Sequence, residues 1–159
     1  MTIEEYIAEA RKHNPCDEGM VALEKCHTRK KAFELLASPV GCDYFLKSIQ
    51  EGWGPSVSDF LDNFLPYING ALTVKNETKN RLVRSQVWSN SRLIEIDDDI
   101  RWLILIGCQG KVRIKPFQVV KIYVDINSNV EIEGSERSII YIKNYGGRVF
   151  DPHKVCKIL

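Results

Sequence analysis

Hydrophobic and polar residues alternate in two different ways along this chain, and the pattern changes near residue 70. Over residues 1–70, apolar side chains recur every three or four positions, which is the spacing of an amphipathic helix. Polar residues that can cap a helix stand at the expected starts: Thr2 with Glu5, Asp17, Thr28, and Ser56 with Asp59. The pattern predicts four or five short helices packed into a small bundle.

From residue 92 onward, apolar residues alternate with polar ones in short runs, as they do in β-strands. Two sets of aliphatic pairs return after 18 residues: Ile94/Ile96, Val112/Ile114 and Val130/Ile132, and Ile104/Ile106, Ile122/Val124 and Ile140/Ile142. A repeat of this length, containing two strands, predicts a parallel β-solenoid with an 18-residue coil.

Other columns of the repeat agree with coils stacked in register. The small residues Gly110, Ser128 and Gly146 fall where a turn is expected. Charges alternate in sign along two columns, Glu95/Arg113/Glu131 and Asp97/Lys115/Glu133. An antiparallel meander is the competing interpretation, but a meander gives no reason for a period of two strands. Handedness remains open, as does the choice between three sides of six residues and fewer, longer sides.

The chain therefore divides into four parts, and the predicted fold class is α+β. A helical cap domain occupies residues 1–70, and a basic connecting segment with the first strand occupies 71–91. The β-solenoid spans 92–150, and a tail follows over 151–159. We expect the helices to cap the first coil, and the tail either to fold across the last coil or to leave that end free for association.

Composition narrows the class of protein. The 159 residues are 44% hydrophobic and 27% charged, with a formal net charge of +1, which is typical of a soluble globular protein and unlike a dedicated nucleic-acid binder. The sequence has no evident signal peptide or membrane span. Five cysteines without a CxxC pair favour a reducing, cytoplasmic setting.

The sequence contains no pattern that identifies a metal site or a cofactor site. Four potential zinc ligands, Cys16, Cys26, His27 and Cys42, have separations that match no familiar zinc site. Asp97, Asp98 and Asp99 could bind calcium at a coil corner, but a solvated acidic corner is favoured. We therefore predict neither a metal nor a cofactor.

Catalytic motifs are also missing from the sequence. No histidine lies between His27 and His153, and no glycine-rich phosphate loop, GxSxG or HExxH occurs. The sequence favours a protein without enzymatic activity. The alternative is an enzyme that acts on a carbohydrate or an acyl donor along the solenoid groove.

Two groups of residues are candidates for binding. The basic segment 75–92 could contact phosphate, and its tryptophan could stack on a base or a sugar. Two tyrosines 18 residues apart would form an outward-facing aromatic ladder suited to protein or carbohydrate. The residues are Arg81, Arg84 and Trp88 in the basic segment, and Tyr123 and Tyr141 in the ladder. We favour a protein partner or self-association, with weak nucleic-acid binding as a further alternative.

Residues 45–54, which read FLKSIQEGWG, are followed by PYING at 66–70 and then by the β-rich part. In this order they resemble small uncharacterised proteins of bacterial phages and mobile elements. The resemblance spans most of the chain and implies an accessory-genome role without a specific activity. The coil length also resembles that of bactofilin-like and hexapeptide-like solenoids, which is a likeness of architecture alone.

Overall fold

The computed structural model describes residues 1–38, 41–64, 73–78, 81–135 and 137–159, in which helices precede strands. The helices are α1 (Ile3–Lys12), α2 (Asp17–Glu24), α3 (Arg29–Leu36), α4 (Cys42–Gln50) and α5 (Val57–Phe64). They confirm the predicted helical first half. The predicted boundary near residue 70 lies outside the described residues. No helix within the described ranges is long and apolar enough to span a bilayer.

Local hydrogen bonds explain where the helices begin. Thr2 and Glu5 form the predicted capping box at α1, and the Thr28 hydroxyl accepts from the Lys31 amide at α3. Ser56 and Asp59 exchange the same kind of bonds at α5. The predicted cap at Asp17 is wrong by one residue. Cys16 is the N-cap of α2, and Asp17 lies in its first turn, where a negative charge is favourable.

The strands form two sheets, and all pairings except the first are parallel. The strands are β1 (Thr73–Thr78), β2 (Arg81–Ser89), β3 (Leu93–Glu95), β4 (Trp102–Ile106), β5 (Gln109–Arg113), β6 (Val119–Val124), β7 (Asn129–Glu133), β8 (Ile139–Asn144), β9 (Arg148–Phe150) and β10 (Cys156–Ile158). One sheet has the order β1-β2-β4-β6-β8-β10 and the other the order β3-β5-β7-β9. Each coil gives one strand to each sheet, so the molecule is a two-sided parallel β-solenoid, and the meander is excluded.

The coil length varies around the 18 residues seen in the sequence. Ile94 pairs with Val112, a difference of 18, but Val112 pairs with Ile132, a difference of 20. This shift of two residues keeps the side chains on their side of the four-stranded sheet, because side chains alternate with a period of two. In the six-stranded sheet Ile104 pairs with Tyr123, a difference of 19, so the predicted column of Ile104/Ile106 with Ile122/Val124 is wrong. Ile104 and Ile106 face outward, whereas Ile122 and Val124 face inward. The corners between strands absorb the extra residues.

This shift changes which residues stack across the coils. The Arg113 guanidinium contacts Glu95 at 3.0 Å as predicted, but its partner in the next coil is Glu133, also at 3.0 Å, rather than Glu131. Lys115 contacts Asp98 rather than Asp97. The predicted turn column is also shifted, since the Ser128 hydroxyl accepts from the Cys108 amide and Gly110 pairs with Val130.

The solenoid interior is an apolar core. Its side chains come from both sheets and from the corners, among them Ile94, Leu103, Val112, Ile122 and Ile140, all fully buried. Within the described coils these side chains fill the space between the sheets, except at the last coil, where a cavity is lined by Ile142, Val149 and Ile158.

The described helices pack on the outward side of the six-stranded sheet. Outward residues Ile104, Ile106 and Tyr123 belong to the same buried cluster as Phe45 and Leu46 of α4. This differs from the expected placement at the end of the first coil. The reason is chemical, because these outward positions are apolar and need a cover. The tail forms β10, which pairs with β8 and extends the sheet instead of folding across its end.

Candidate binding surface on the six-stranded sheet

Burial of the outward side chains changes along β6 and β8 of the six-stranded sheet. In β6 the outward residues run from exposed Val119 through half-buried Lys121 to buried Tyr123. In β8 they begin with exposed Ile139 and continue with half-buried Tyr141. The helices thus cover only the later half of these strands. The earlier half is an open surface on a folded sheet.

Strand pairing arranges this open half into two rows. Val119 and Ile139 are paired neighbours and form an aliphatic row, with 43% and 42% of their surfaces exposed. The second row lies two residues further along the strands. It consists of Trp102, Lys121, Tyr141 and Lys157, each paired with the next. We call the six residues of both rows the outer face.

The second row alternates aromatic rings and cations. The Lys121 ammonium lies 4.8 Å from the ring centroid of Trp102 and 5.0 Å from that of Tyr123. The Lys157 ammonium lies 5.7 Å from the Tyr141 ring centroid. Ring faces attract cations, so these contacts hold the lysines on the sheet without neutralising them. The ion pairs that join described residues include neither lysine.

A strained aromatic residue stands at the corner before β6. Phe117 has a φ of 63°, and 69% of its surface is exposed. The Arg137 guanidinium of the next coil lies 5.2 Å from its ring centroid. A bulky residue in the left-handed region costs free energy. Because the ring is mostly exposed, its burial offsets little of that cost. Phe117 and Arg137 therefore add one more ring and one more cation near Val119.

The covered half of the sheet carries a polar junction with the start of α4. The Asp43 carboxylate accepts hydrogen bonds from the Tyr145 hydroxyl and from the Lys143 ammonium, the latter at 2.7 Å. Burial alone would raise the pKa of Asp43, but these two donors outweigh it and hold the pKa below its usual value. The junction thus contains an ionised carboxylate at neutral pH.

Beside Asp43, the Cys42 thiol is buried and lies 3.3 Å from the Trp102 indole nitrogen. Burial raises the pKa of Cys42 to about 11, so the thiol is protonated at neutral pH. A protonated, buried thiol is not an activated nucleophile. The contacts at this junction fix α4 against the sheet.

The predicted tyrosine ladder is corrected by the structure. Tyr123 does face outward, but it is only 1% exposed because the helices cover it. Its paired neighbours are Ile104 and Lys143, whereas Tyr141 pairs with Lys121. The two-residue shift between β6 and β8 separates the tyrosines, so Tyr141 alone remains on the open surface.

The basic segment gives a mixed outcome. Trp88 lies on β2 beside Leu105 and is half-buried against the solenoid core, unlike the exposed ring that stacking on a base or a sugar would need. Arg81 and Arg84 belong to the same strand, but their side chains lie outside the described residues. Binding by these arginines therefore stays a prediction.

The candidate zinc ligands do not converge. Cys16 is exposed, Cys26 donates to the Ala22 carbonyl, and Cys42 contacts Trp102. Within the described ranges, no group of three or more histidine, cysteine or acidic residues could hold a metal ion.

The sequence did not predict the exposed aliphatic row of the outer face. Val119 and Ile139 each stand directly before an inward aliphatic residue, in the pairs Val119-Val120 and Ile139-Ile140. Two consecutive apolar residues break the alternation expected of a strand that is buried on one side. That break was the one local signal of an apolar patch on the outside.

The fold and the outer face define the class: a helical bundle on the flank of a two-sided parallel β-solenoid, with part of the solenoid sheet open. Comparison of the chain with models of protein families, with curated proteins and with solved structures finds no match. The surface itself is therefore the basis for a function.

Proposed function

We propose that this protein is a non-enzymatic protein-binding module, and that the outer face receives the partner. One observation carries the proposal: Val119 and Ile139 form an exposed aliphatic row on a regular sheet, immediately beside aromatic rings. Adjacent apolar side chains on a flat, rigid surface are typical of protein interaction sites. Burying these two side chains in an interface would stabilise the complex, because it removes apolar surface from water.

The chemistry of the row favours a protein partner over nucleic acid or carbohydrate. Val119 and Ile139 have no ring for a base or a sugar to stack on, and they donate no hydrogen bond. A net charge of +1 gives little general attraction for nucleic acid. The filled solenoid core and the protonated Cys42 thiol supply no support for an enzyme that works along the solenoid.

Selection from a random peptide display library tests the proposal. We expect peptides enriched on the native protein to lose binding when the row is made polar in the double variant Val119→Ser/Ile139→Ser. The matched control is Leu93→Ser on the four-stranded sheet, which removes an equally exposed aliphatic side chain. If no enriched peptide distinguishes the double variant from the control, the outer face is not the binding site.

A second candidate is self-association through the last coil. β9 and β10 each have one edge that pairs with no described strand, and Phe150 and Ile158 on them are exposed. Unpaired strand edges are templates for pairing with another chain. The resemblance to phage and mobile-element proteins favours an assembly setting for either kind of contact, inside the cytoplasm as the cysteine content predicts.

A further inference from the structure

The two rows of the outer face have a definite geometry. Both rows run across the strands, so neighbouring residues in a row are about 4.8 Å apart, which is the strand spacing. The rows lie two residues apart along the strands, which is roughly 6.8 Å. From Trp102 on β4 to Lys157 on β10 there are three strand steps, or about 14 Å. A ligand that matches must therefore present an apolar row and a second row of different chemistry side by side.

The cations of the second row favour a ligand with negative charge. Lys121 and Lys157 contact aromatic rings and form no ion pair with a described carboxylate. Arg137 stands over Phe117 at the nearby corner and likewise has no described carboxylate partner. Carboxylates on the ligand would complement these cations. Such partly exposed pairs add little affinity each, about 0–1 kcal/mol, but they set orientation and exclude wrong partners.

From these two features we infer that the outer face binds an acidic amphipathic helix lying along the solenoid axis. A helix places its apolar residues in one stripe and can carry acidic residues in the adjoining stripe. One side of such a helix can therefore contact both rows of the outer face. Ten helical residues span about 15 Å, which matches the length of the second row. An extended peptide turns successive side chains to opposite sides and would offer the sheet only one kind of row. This inference rests on the proposed function and names the partner's chemistry.

Single-stranded nucleic acid is the competing polyanion, because lysines and rings also bind bases. Trp102 is half-buried with its indole nitrogen bonded to Cys42, and Tyr123 is covered. The rings of Phe117 and Tyr141 each have a cation over one face, so few free ring faces remain for stacking. The aliphatic row would have no counterpart on a nucleotide chain. The surface therefore favours the acidic helix.

The test uses a synthetic peptide and fluorescence anisotropy with the full chain. The probe is a labelled 14-residue peptide with leucines at helical spacing and glutamates in the adjoining stripe. Its matched control has every glutamate replaced by glutamine. We expect the acidic peptide to bind at least about tenfold more tightly than the glutamine peptide at low salt, and added salt to reduce this preference. Equal binding of both peptides would overturn the inference.

Five protein variants locate the binding. Lys157→Glu should weaken the acidic peptide about tenfold or more, and Ile139→Ser should weaken it several-fold. Arg148→Glu and Leu93→Ser make the same changes on the four-stranded sheet and should leave binding unchanged. Lys121→Gln provides a second test of the row within the sheet, and thermal melting checks that all variants are folded. Equal losses in the control variants would overturn the inference.

The outcomes separate this inference from the proposed function. Suppose the acidic peptide fails to bind, while display-selected peptides bind the native protein and do not bind the Ile139→Ser variant. The inference then falls and the protein-binding function stands. If neither kind of peptide binds, both fall. A third outcome is that a labelled oligothymidine binds although the acidic peptide does not, and that Lys157→Glu abolishes this binding. The outer face would then be a nucleic-acid-binding surface.

Discussion

A single buried carboxylate connects two coils of the solenoid at the residue scale. Asp125 is fully buried, and one of its oxygens accepts from the Gly107 amide of the preceding coil at 2.9 Å and from the Ser128 hydroxyl at 2.6 Å. Its other oxygen accepts from the Asn127 side chain at 2.9 Å. Gly107 has a φ of 63°, and a side chain there would collide with Val57 of α5. Asp125 therefore holds a tight corner beneath the helices.

We expect Asp125→Ala to lower the free energy of unfolding by about 2–3 kcal/mol. The substitution leaves the Gly107 amide buried without an acceptor, which costs more than the bond itself contributed. Asn127→Ala is the control, because it removes only one bond at an exposed side chain and should cost less than about 1 kcal/mol. Urea unfolding measures both values. A loss for Asp125→Ala no larger than that for the control would contradict this role.

At the scale of elements, Asp43 joins α4 to β8 and the turn after it. Its bonds to Lys143 and Tyr145 cross between parts of the chain that are far apart in sequence. The pKa of Asp43 is lowered by these donors in the folded protein, against the opposing effect of burial. A carboxyl whose folded pKa is lowered stabilises the fold above its unfolded pKa and loses that contribution as the pH falls.

We predict that Asp43→Asn destabilises the protein at pH 7 and that this difference shrinks as the pH falls below the ordinary aspartate value of 3.8. The size of the effect at pH 7 should be modest, because Asp43 remains partly open to solvent. Unfolding midpoints of the two proteins at pH 7 and pH 3 measure it. Asp97→Asn, at an exposed corner carboxylate, is the control. A difference that is independent of pH would show that charge at Asp43 is not the cause.

At the scale of the whole molecule, helices cover part of one flank of the solenoid, and at its last coil β9 and β10 each have an edge that pairs with no described strand. Ile158 on β10 is 87% exposed and Phe150 on β9 is 62% exposed, so both sheets present apolar side chains at this end. The outer face and this end meet on β10, which carries Lys157 of the outer face and Ile158 of the end. One suits a partner that lies along the solenoid, and the other suits a second copy.

If the last coil mediates self-association, size-exclusion chromatography with light scattering should show the mass increasing with protein concentration. Phe150→Ser/Ile158→Ser should then remain monomeric, because pairing at these edges would no longer bury apolar surface. Leu93→Ser, at an exposed aliphatic residue of the four-stranded sheet, should behave like the native chain. A native chain that stays monomeric at high concentration would exclude this second candidate.

Much of the architecture could be predicted because it depends on local periodicity. Spacings of three and four predicted the helices, and the return of Ile94 as Val112 predicted parallel coils. The register of the later coils could not be predicted in the same way. Pairing Val112 with Val130 or with Ile132 points the same side chains inward, so the hydrophobic pattern cannot distinguish the two. Corner bonds such as those of Asp125 contribute to that choice.

The candidate site was predicted only in part, for the same reason. Tyr141 was correctly picked as a residue of the outward surface, but Tyr123 is buried because α4 lies over it. Which outward residues are covered depends on contacts between segments far apart in the chain, such as Cys42 with Trp102.

The sequence by itself determined the helical first half and the two-strand repeat, since these follow from side-chain periodicity along the chain. It did not determine the inward face of every strand, because Ile104 and Ile106 face the helices while Ile122 and Val124 face the solenoid core. Only the tertiary structure decided the coil register, the placement of the helices on the flank and the open half of the sheet. These depend on how distant surfaces fit together. The outer face is open because the described helices cover only the later half of β6 and β8.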